Sequence, residues 1–246
     1  MFGAASHVGM VRSENQDMYG LFPSGFKGDL EPKGRLFVLA DGMGGHNGGR
    51  FASELAVKTI GEVYFSARSQ KVKESLVKAI QSANEAVHAA SVQDPSLAGM
   101  GTTCVALVVR GLSVYVAHIG DSRAYRIKGE EIHQITDDHS VAAELCRRGM
   151  ITAEEAKNHR ERSVLFRALG TGKEVEIDVQ PEHVVESEEW FVLCSDGLSN
   201  MVSDTEIHRI VKAQPPEWAC DELVSLANER GGKDNITVLV VKISVR

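Results

Sequence analysis

Apolar and polar residues form a regular pattern along this 246-residue chain, and the pattern predicts strands and amphipathic helices. The apolar run from Leu36 to Ala40 is bounded by glycines, which is typical of a buried strand. Two helices should follow, because apolar residues then recur at spacings of three and four. The first apolar stripe is Ala52, Leu55, Ala56, Ile60 and Val63, and the second is Val72, Leu76, Ala79, Ile80, Ala83 and Val87.

The remaining pattern favours strands in the middle of the chain and helices towards its end. Strands are predicted at residues 2–8, 18–22, 102–110, 113–119, 123–128, 131–135, 174–179, 190–194 and 235–243. A helix is predicted at 139–148, and two more should follow the capping boxes that begin at Thr152 and Ser203. A fourth helix is predicted after Pro215-Pro216, with an apolar side formed by Trp218, Leu223, Leu226 and Ala227. Residues 158–171 are charged and poorly periodic, which predicts a surface loop, or flap.

Strands and helices come in blocks rather than in strict alternation, which predicts an α+β fold with antiparallel sheets. The chain has no linker, repeat or low-complexity segment, so we expect one domain over residues 1–246.

Composition narrows the setting in which the chain works. The net charge of -7 argues against a nucleic-acid surface, which would need clustered cations. No apolar run approaches the ~18–20 residues of a membrane span, and the N-terminus lacks the pattern of a signal peptide. The four cysteines form no paired metal motif, and Cys104 and Cys194 lie in apolar runs. We expect a reduced, cytoplasmic protein.

Aspartates recur at the ends of the predicted strands. Asp41 follows the strand at 36–40, and Asp196 follows a similar strand and is likewise followed by glycine. Asp121 ends a third strand, Asp234 precedes the last one, and Asp17 precedes the second. Each could be an ordinary turn aspartate, because Asp-Gly is a common turn dipeptide. Five repeats of one pattern make independent turns a poorer explanation than a shared site.

Several carboxylates in one site suit a hard cation. Mg²⁺ and Mn²⁺ prefer oxygen ligands, whereas zinc prefers the Cys and His pairings that are missing here. Without cations, mutual repulsion would force some of the carboxylates to keep their protons.

An ordered set of motifs carries a resemblance over nearly the whole chain. The motifs are Arg12-x-x-Asn15-Gln16-Asp17, Asp41-Gly-Met-Gly-Gly-His46, Gly101-Thr-Thr103, Gly120-Asp-Ser-Arg123, Asp138-His139, Ala168-Leu-Gly170, Ser195-Asp-Gly197 and Asp234-Asn235. In these motifs and their order, the chain resembles the metal-dependent protein phosphatase family (the protein phosphatase 2C type) in its compact bacterial form.

The resemblance implies a fold and a set of metal ligands. The implied fold is a four-layer α-β-β-α sandwich with two antiparallel sheets flanked by helices. Asp41 would bridge two Mn²⁺ or Mg²⁺ ions, with the Gly42 carbonyl completing one shell. Asp196 and Asp234 would hold the other ion, and Asp17 would contact the site mainly through water. Asp121, with Asp196, matches the position of a third ion.

The same resemblance implies a reaction. A water between two cations becomes hydroxide near neutral pH and can attack phosphorus in line, with no phospho-enzyme intermediate. Arg12 matches a phosphate-binding arginine, whose planar fork suits two phosphate oxygens; otherwise it is a surface arginine. His46 aligns with a candidate general acid; the alternative is a loop histidine that orders water or caps the next helix. His118 and His139 are interpreted as structural.

The chain departs from the family pattern in two places. Arg50 stands where glutamate is common, which changes the charge at the rim of the site. In the flap, Ser163 and Phe166 replace an asparagine and a threonine. The flap is variable in the family, so substrate recognition is the least transferable property.

The leading hypothesis is therefore a protein serine/threonine phosphatase that acts on phosphorylated proteins, the products of a cognate kinase. A monomer without nucleic-acid or membrane partners is expected. Two other hypotheses are a catalytically weak binding module that keeps the fold, and a two-metal hydrolase acting on nucleic acid or small phosphoesters. The complete aspartate set argues against the first, and the acidic balance argues against a nucleic-acid substrate.

Overall fold

The computed structural model describes residues 1–23, 32–44, 48–69 and 71–245. Within these ranges the strands are β1 (Phe2–His7), β2 (Asp17–Phe22), β3 (Arg35–Met43), β4 (Gly101–Thr102), β5 (Cys104–Arg110), β6 (Ser113–Ile119), β7 (Arg123–Lys128), β8 (Glu131–Gln134), β9 (Asp178–Val179), β10 (His183–Val184), β11 (Glu189–Cys194) and β12 (Ile236–Ile243). The α-helices are α1 (Gly48–Ser66), α2 (Val72–Gln93), α3 (Val141–Arg147), α4 (Ala153–Lys157), α5 (Asp196–Ser199), α6 (Asp204–Ala213) and α7 (Pro216–Glu229).

The strands form two antiparallel sheets. One has the order β1-β12-β11-β7-β8. The other has the order β10-β6-β5-β3-β2, with β4 beside β3 and β9 beside β6. No described helix is both long enough and apolar enough to cross a membrane.

Alternating side chains divide the core into three layers of contacts. Along β3, Leu36 and Val38 pack against α1 and α2, whereas Phe37 and Leu39 face the second sheet. Along β11, Val192 packs with α6 and α7, and its neighbours Phe191 and Leu193 join the layer between the sheets. A period of two therefore places each sheet between helices and the other sheet. The fold is the α-β-β-α sandwich that the resemblance implied.

Most predicted elements are confirmed, with small changes at their ends. The capping boxes at Thr152 and Ser203 begin α4 and α6. The helix predicted at 139–148 begins two residues later, because the Ser140 side chain accepts a hydrogen bond from the backbone N–H of Ala143 and caps α3. The strand predicted at 174–179 pairs only at β9, although Val175 and Ile177 still pack against the core.

Two predictions about burial are wrong. Trp218 is 67% exposed. The buried stripe of α7 contains Ala219, Cys220 and Leu223. Because Trp218 lies two positions before Cys220, it points to the opposite side of the helix. The flap is a surface loop only in its first part. Leu169 is fully buried, and its backbone pairs with Thr102 in an isolated bridge.

The layer between the sheets makes a prediction about stability. Leu39→Ala removes a fully buried side chain from this layer, so the free energy of unfolding should fall by about 2–5 kcal/mol. Leu112→Ala is the matched control, since Leu112 is 40% exposed. Urea unfolding of both variants measures the difference. Equal losses in the two variants would contradict the sandwich packing described here.

Candidate metal centre

Two of the aspartates face each other across neighbouring strands. Asp17 begins β2, and its backbone is paired with that of Asp41 near the end of β3. Like charges at directly opposite positions of an antiparallel pair are unfavourable. The register therefore places a repulsive pair at one end of the first sheet.

The other three aspartates come to the same end of the sandwich. Asp121 follows β6, Asp196 follows β11 as the first residue of α5, and Asp234 precedes β12. Gly120, before Asp121, has φ +99°, and a Cβ there would lie 2.6 Å from the Thr103 side chain, so the turn requires glycine.

Four of these carboxylates line one cleft with a volume of about 610 Å³. They are Asp41, Asp121, Asp196 and Asp234. Asp17 lies behind them and is 6% exposed. Gly42 also lines the cleft, and a Cβ at Gly42 would lie 2.1 Å from the backbone oxygen of Gly49. The glycine is required because the start of α1 approaches β3 so closely.

Hydroxyl groups and backbone amides hold the aspartates in place. Thr103 interrupts the strand predicted at 102–110, and its side chain accepts a hydrogen bond from the backbone N–H of Asp41. Its own N–H donates to the backbone oxygen of Asp41. Ser195 donates to Asp17 Oδ2 at 2.8 Å and accepts from the N–H of Thr237. The sequence motifs included Thr103 and Ser195 but did not indicate these supporting contacts.

Burial and mutual repulsion raise the pKa values of the carboxyl groups. Burial raises the pKa of Asp17 to about 7 against the effect of its hydroxyl hydrogen bonds, and Asp196 and Asp234 add to the rise. Burial and the charge of Asp196 raise the pKa of Asp121 to about 8. Burial and neighbouring aspartates also raise the pKa of Asp196 to about 6 and that of Asp41 well above its usual value. The protein alone thus opposes ionisation of these groups.

The residues fit a divalent-cation centre. The donor set is almost entirely carboxylate oxygen, which suits Mg²⁺ or Mn²⁺. Asp17 Oδ1 is buried and has no hydrogen-bond partner, so one acceptor in the acidic group is unsatisfied. Bound cations would satisfy the oxygens and favour the ionised carboxylates.

Arg12 lines the cleft, and Arg50 lies close to a residue that lines it. Arg12 Nη2 donates to Asp234 Oδ2 at 2.8 Å, so the arginine with the phosphate-binding motif contacts an aspartate with a metal-binding motif. Arg50 pairs with Glu54 at 2.8 Å and lies 3.8 Å from Glu14, which also lines the cleft. The departure at Arg50 therefore adds an ion-paired cation at the rim.

The flap also contributes side chains to the cleft. Ser163 and Leu165 line the cleft with the aspartates. Phe166 is 44% exposed, and its ring centroid lies 5.7 Å from that of His139. The candidate general acid His46 lies outside the described residues.

Three side chains near the turn at Gly120 form a separate compact cluster. The potential ligand atoms of His118, His139 and Asp178 lie within 4.8 Å of one another. Sequence patterns gave no signal for Asp178 because it is far from both histidines along the chain. The two histidine rings stack with centroids 4.9 Å apart.

Known proteins resemble the chain along almost its whole length. The family model described as Protein phosphatase 2C matches residues 12–230. The serine/threonine phosphatase Stp of Listeria monocytogenes is 38% identical over 241 residues, covering 95% of this chain and 92% of the relative.

Solved structures agree with the fold. The serine/threonine phosphatase Stp1 from Staphylococcus aureus has a TM-score of 0.90 at 32% identity, with 99% of this chain and 95% of that chain covered. The catalytic domain of PstP, in complex with two manganese ions, has a TM-score of 0.85 at 33% identity, with 99% and 98% covered. By sequence and fold, the chain belongs to the protein phosphatase 2C family of metal-dependent protein serine/threonine phosphatases.

Proposed function

We propose that the protein removes phosphate from phosphoserine and phosphothreonine in proteins, by direct in-line attack of water at a centre of two Mn²⁺ or Mg²⁺ ions. The observation that carries this proposal is the convergence of five aspartates from both sheets on one end of the sandwich. Asp41 and the Gly42 carbonyl would hold the ions together with Asp196 and Asp234. Asp17 would act through water, and Asp121 with Asp196 would hold a third ion.

The chemistry divides between the ions and the chain. When bound, two divalent cations would lower the pKa of a water nucleophile and neutralise charge on the phosphoryl group. The residues of the chain bind and orient the reacting groups. Arg12 lies at the cleft with a planar guanidinium that suits phosphate oxygens. His46 is proposed to donate the proton to the leaving alkoxide, which is otherwise a poor leaving group.

The biological setting is proposed on coarser grounds. Relatives named serine/threonine phosphatase and protein phosphatase support phosphoproteins as substrates. We infer that a cognate kinase produces these substrates, and that the chain works as a monomeric, single-domain cytoplasmic enzyme. The exposed first part of the flap and the cleft wall at Ser163 and Leu165 are the surfaces that would meet the substrate protein.

Asp41 gives the central test. Phosphate release from a phosphothreonine peptide should require Mn²⁺ or Mg²⁺, and Asp41→Asn should lower kcat at least about 100-fold, because a neutral amide is a much poorer ligand for divalent cations than a carboxylate. The control is Asp94→Asn, which changes an exposed aspartate at a helix cap. Activity that survives EDTA, or that survives Asp41→Asn, is incompatible with the proposal.

Arg12 should contribute to phosphate binding. Arg12→Ala is expected to raise KM for para-nitrophenyl phosphate by roughly 10- to 100-fold, the effect of losing hydrogen bonds to a charged group. Arg50→Ala is the matched control, since the two side chains are 58% and 56% exposed and both pair with acidic residues. Steady-state kinetics at saturating Mn²⁺ would reject this role if both variants had the same KM.

The raised pKa values predict how stability depends on pH without metal. The pKa of Asp17 is about 7 in the folded state, compared with 3.8 for an ordinary aspartate in the unfolded chain. The folded state therefore binds more protons than the unfolded state between these two pH values. Stability should therefore fall as pH rises across this window, which Asp121 extends to about 8. In EDTA, the melting temperature should decline from about pH 5 to about pH 8.

Two additions control this experiment. Mn²⁺ should remove most of the decline, because it stabilises the ionised carboxylates. Asp41→Asn should make the decline of the melting temperature in EDTA smaller, because one of the carboxylates that repel each other is gone. A melting temperature in EDTA that rises steadily over this pH range would show that the aspartates do not destabilise the metal-free fold.

A further inference from the structure

His139 holds the turn that carries Asp121. Its backbone N–H donates to the backbone oxygen of Gly120 at 3.0 Å. The backbone N–H of Gly120 donates in return to His139 Nδ1 at 3.1 Å. His139 is 2% exposed, so water cannot readily replace either bond. The residue immediately before a proposed metal ligand is thus fixed from both sides by one histidine.

The bond from Gly120 also sets the proton position on the imidazole. Because Nδ1 accepts a hydrogen bond, the proton of the neutral ring lies on Nε2. That nitrogen lies 3.2 Å from Asp178 Oδ2 and donates to it. Burial lowers the pKa of His139, with the neighbouring His118 adding to the effect, which favours the neutral ring. The other oxygen of Asp178 accepts from Arg167 Nη1 at 2.8 Å.

This arrangement argues against a metal ion in the cluster of His118, His139 and Asp178. Zinc would need the lone pair of His139 Nε2, but that nitrogen carries the proton while Gly120 donates to Nδ1. Arg167 also supplies Asp178 with a positive partner already. The cluster is better explained as a hydrogen-bonded chain from Gly120 through His139 and Asp178 to Arg167.

The same histidine holds the inner part of the flap. The N–H of Phe166 donates to the backbone oxygen of His139 at 3.0 Å. Two residues on, Val141 donates to the backbone oxygen of Val164 at 2.9 Å. Between these bonds lies Leu165, which lines the cleft. The Arg167 guanidinium lies 5.6 Å from the centre of the Phe166 ring. The side chain that binds Asp178 therefore also lies beside the residue whose backbone binds His139.

We propose that His139 is a positioning residue that couples the Asp121 turn to the flap, so that cation binding at Asp121 and the position of the cleft wall at residues 163–166 depend on each other. This inference rests on the proposed function for its consequence in catalysis. The coupling itself is a property of the fold and of cation binding. It can be measured whether or not the protein acts on phosphoproteins.

Amide hydrogen exchange tests the coupling directly. In the parent protein, Mn²⁺ should slow exchange at the amides of Gly120, Val141 and Phe166, whose hydrogen bonds join the turn, His139 and the flap. In His139→Ala, the effect of Mn²⁺ on exchange at Phe166 should be smaller than in the parent, because the imidazole bonds to Gly120 and Asp178 are lost while the backbone bonds of residue 139 remain. His139→Asn is the second variant, because its amide oxygen can still accept from Gly120 while the contact with Asp178 is lost.

Calorimetry and kinetics complete the test. His139→Ala should weaken binding of the Mn²⁺ ion at Asp121 by about 3- to 10-fold, the effect of losing the neutral hydrogen bond from the Gly120 N–H. His139→Asn should recover most of that affinity. With a phosphothreonine peptide, both variants should raise KM more than they lower kcat, since the flap forms the cleft wall.

The matched control is His183→Asn. His183 also pairs with a carboxylate, that of Glu189, at 2.7 Å, but it lies beside Val114 at the opposite end of β6 from Gly120. This variant should leave Mn²⁺ binding and the exchange at Phe166 as in the parent. The inference is overturned if Mn²⁺ slows exchange at Phe166 equally in folded His139→Ala and the parent, or if both histidine sites change Mn²⁺ affinity alike. Phosphatase failure with coupling intact would overturn only the proposed function.

Discussion

Repulsion among carboxylates at one end of the sandwich is the constraint on which the site depends. The antiparallel register places Asp17 opposite Asp41, and three more strand ends bring further aspartates to the same end. The raised pKa values express a cost on the order of a few kcal/mol for ionising such groups in the folded state. The packed layers of the core hold the backbone against this repulsion, and divalent cations offset it directly.

Local structure around the cleft follows from this constraint. Thr103 lies opposite Asp41 in the register shared by the pairs on either side; its N–H donates to the backbone oxygen of Asp41, and its hydroxyl accepts from the Asp41 N–H. Ser195 lies directly before Asp196 and binds Asp17, so one short segment supports carboxylates from different sheets. These hydrogen bonds fix acceptor groups whose positions decide whether a cation can bind.

Periodicity was sufficient to predict much of the fold, because the strands of a sandwich alternate between two buried faces and its helices show one apolar stripe. Leu36 to Ala40 and the stripe from Ala52 to Val63 are examples. The ordered motifs included the four aspartates that line the cleft, and their role as metal ligands stays a prediction. The apolar pattern wrongly predicted that Trp218 is buried, because an aromatic residue near the buried stripe of a helix can still point to solvent. The short pairing at β9 was also missed, since apolar alternation indicates packing but not backbone bonding.

Long-range contacts account for what sequence could not predict. Asp178 contacts His139 across 39 positions, and no local pattern marks that pair. The buried anchor at Leu169 was equally hidden, because the charged residues before it dominate the pattern of the flap. His139 was interpreted as structural, and its contacts agree, but they join two functional segments rather than only filling the core. A buried polar residue whose hydrogen bonds join the Gly120 turn, Asp178 and the flap stabilises one arrangement of these segments.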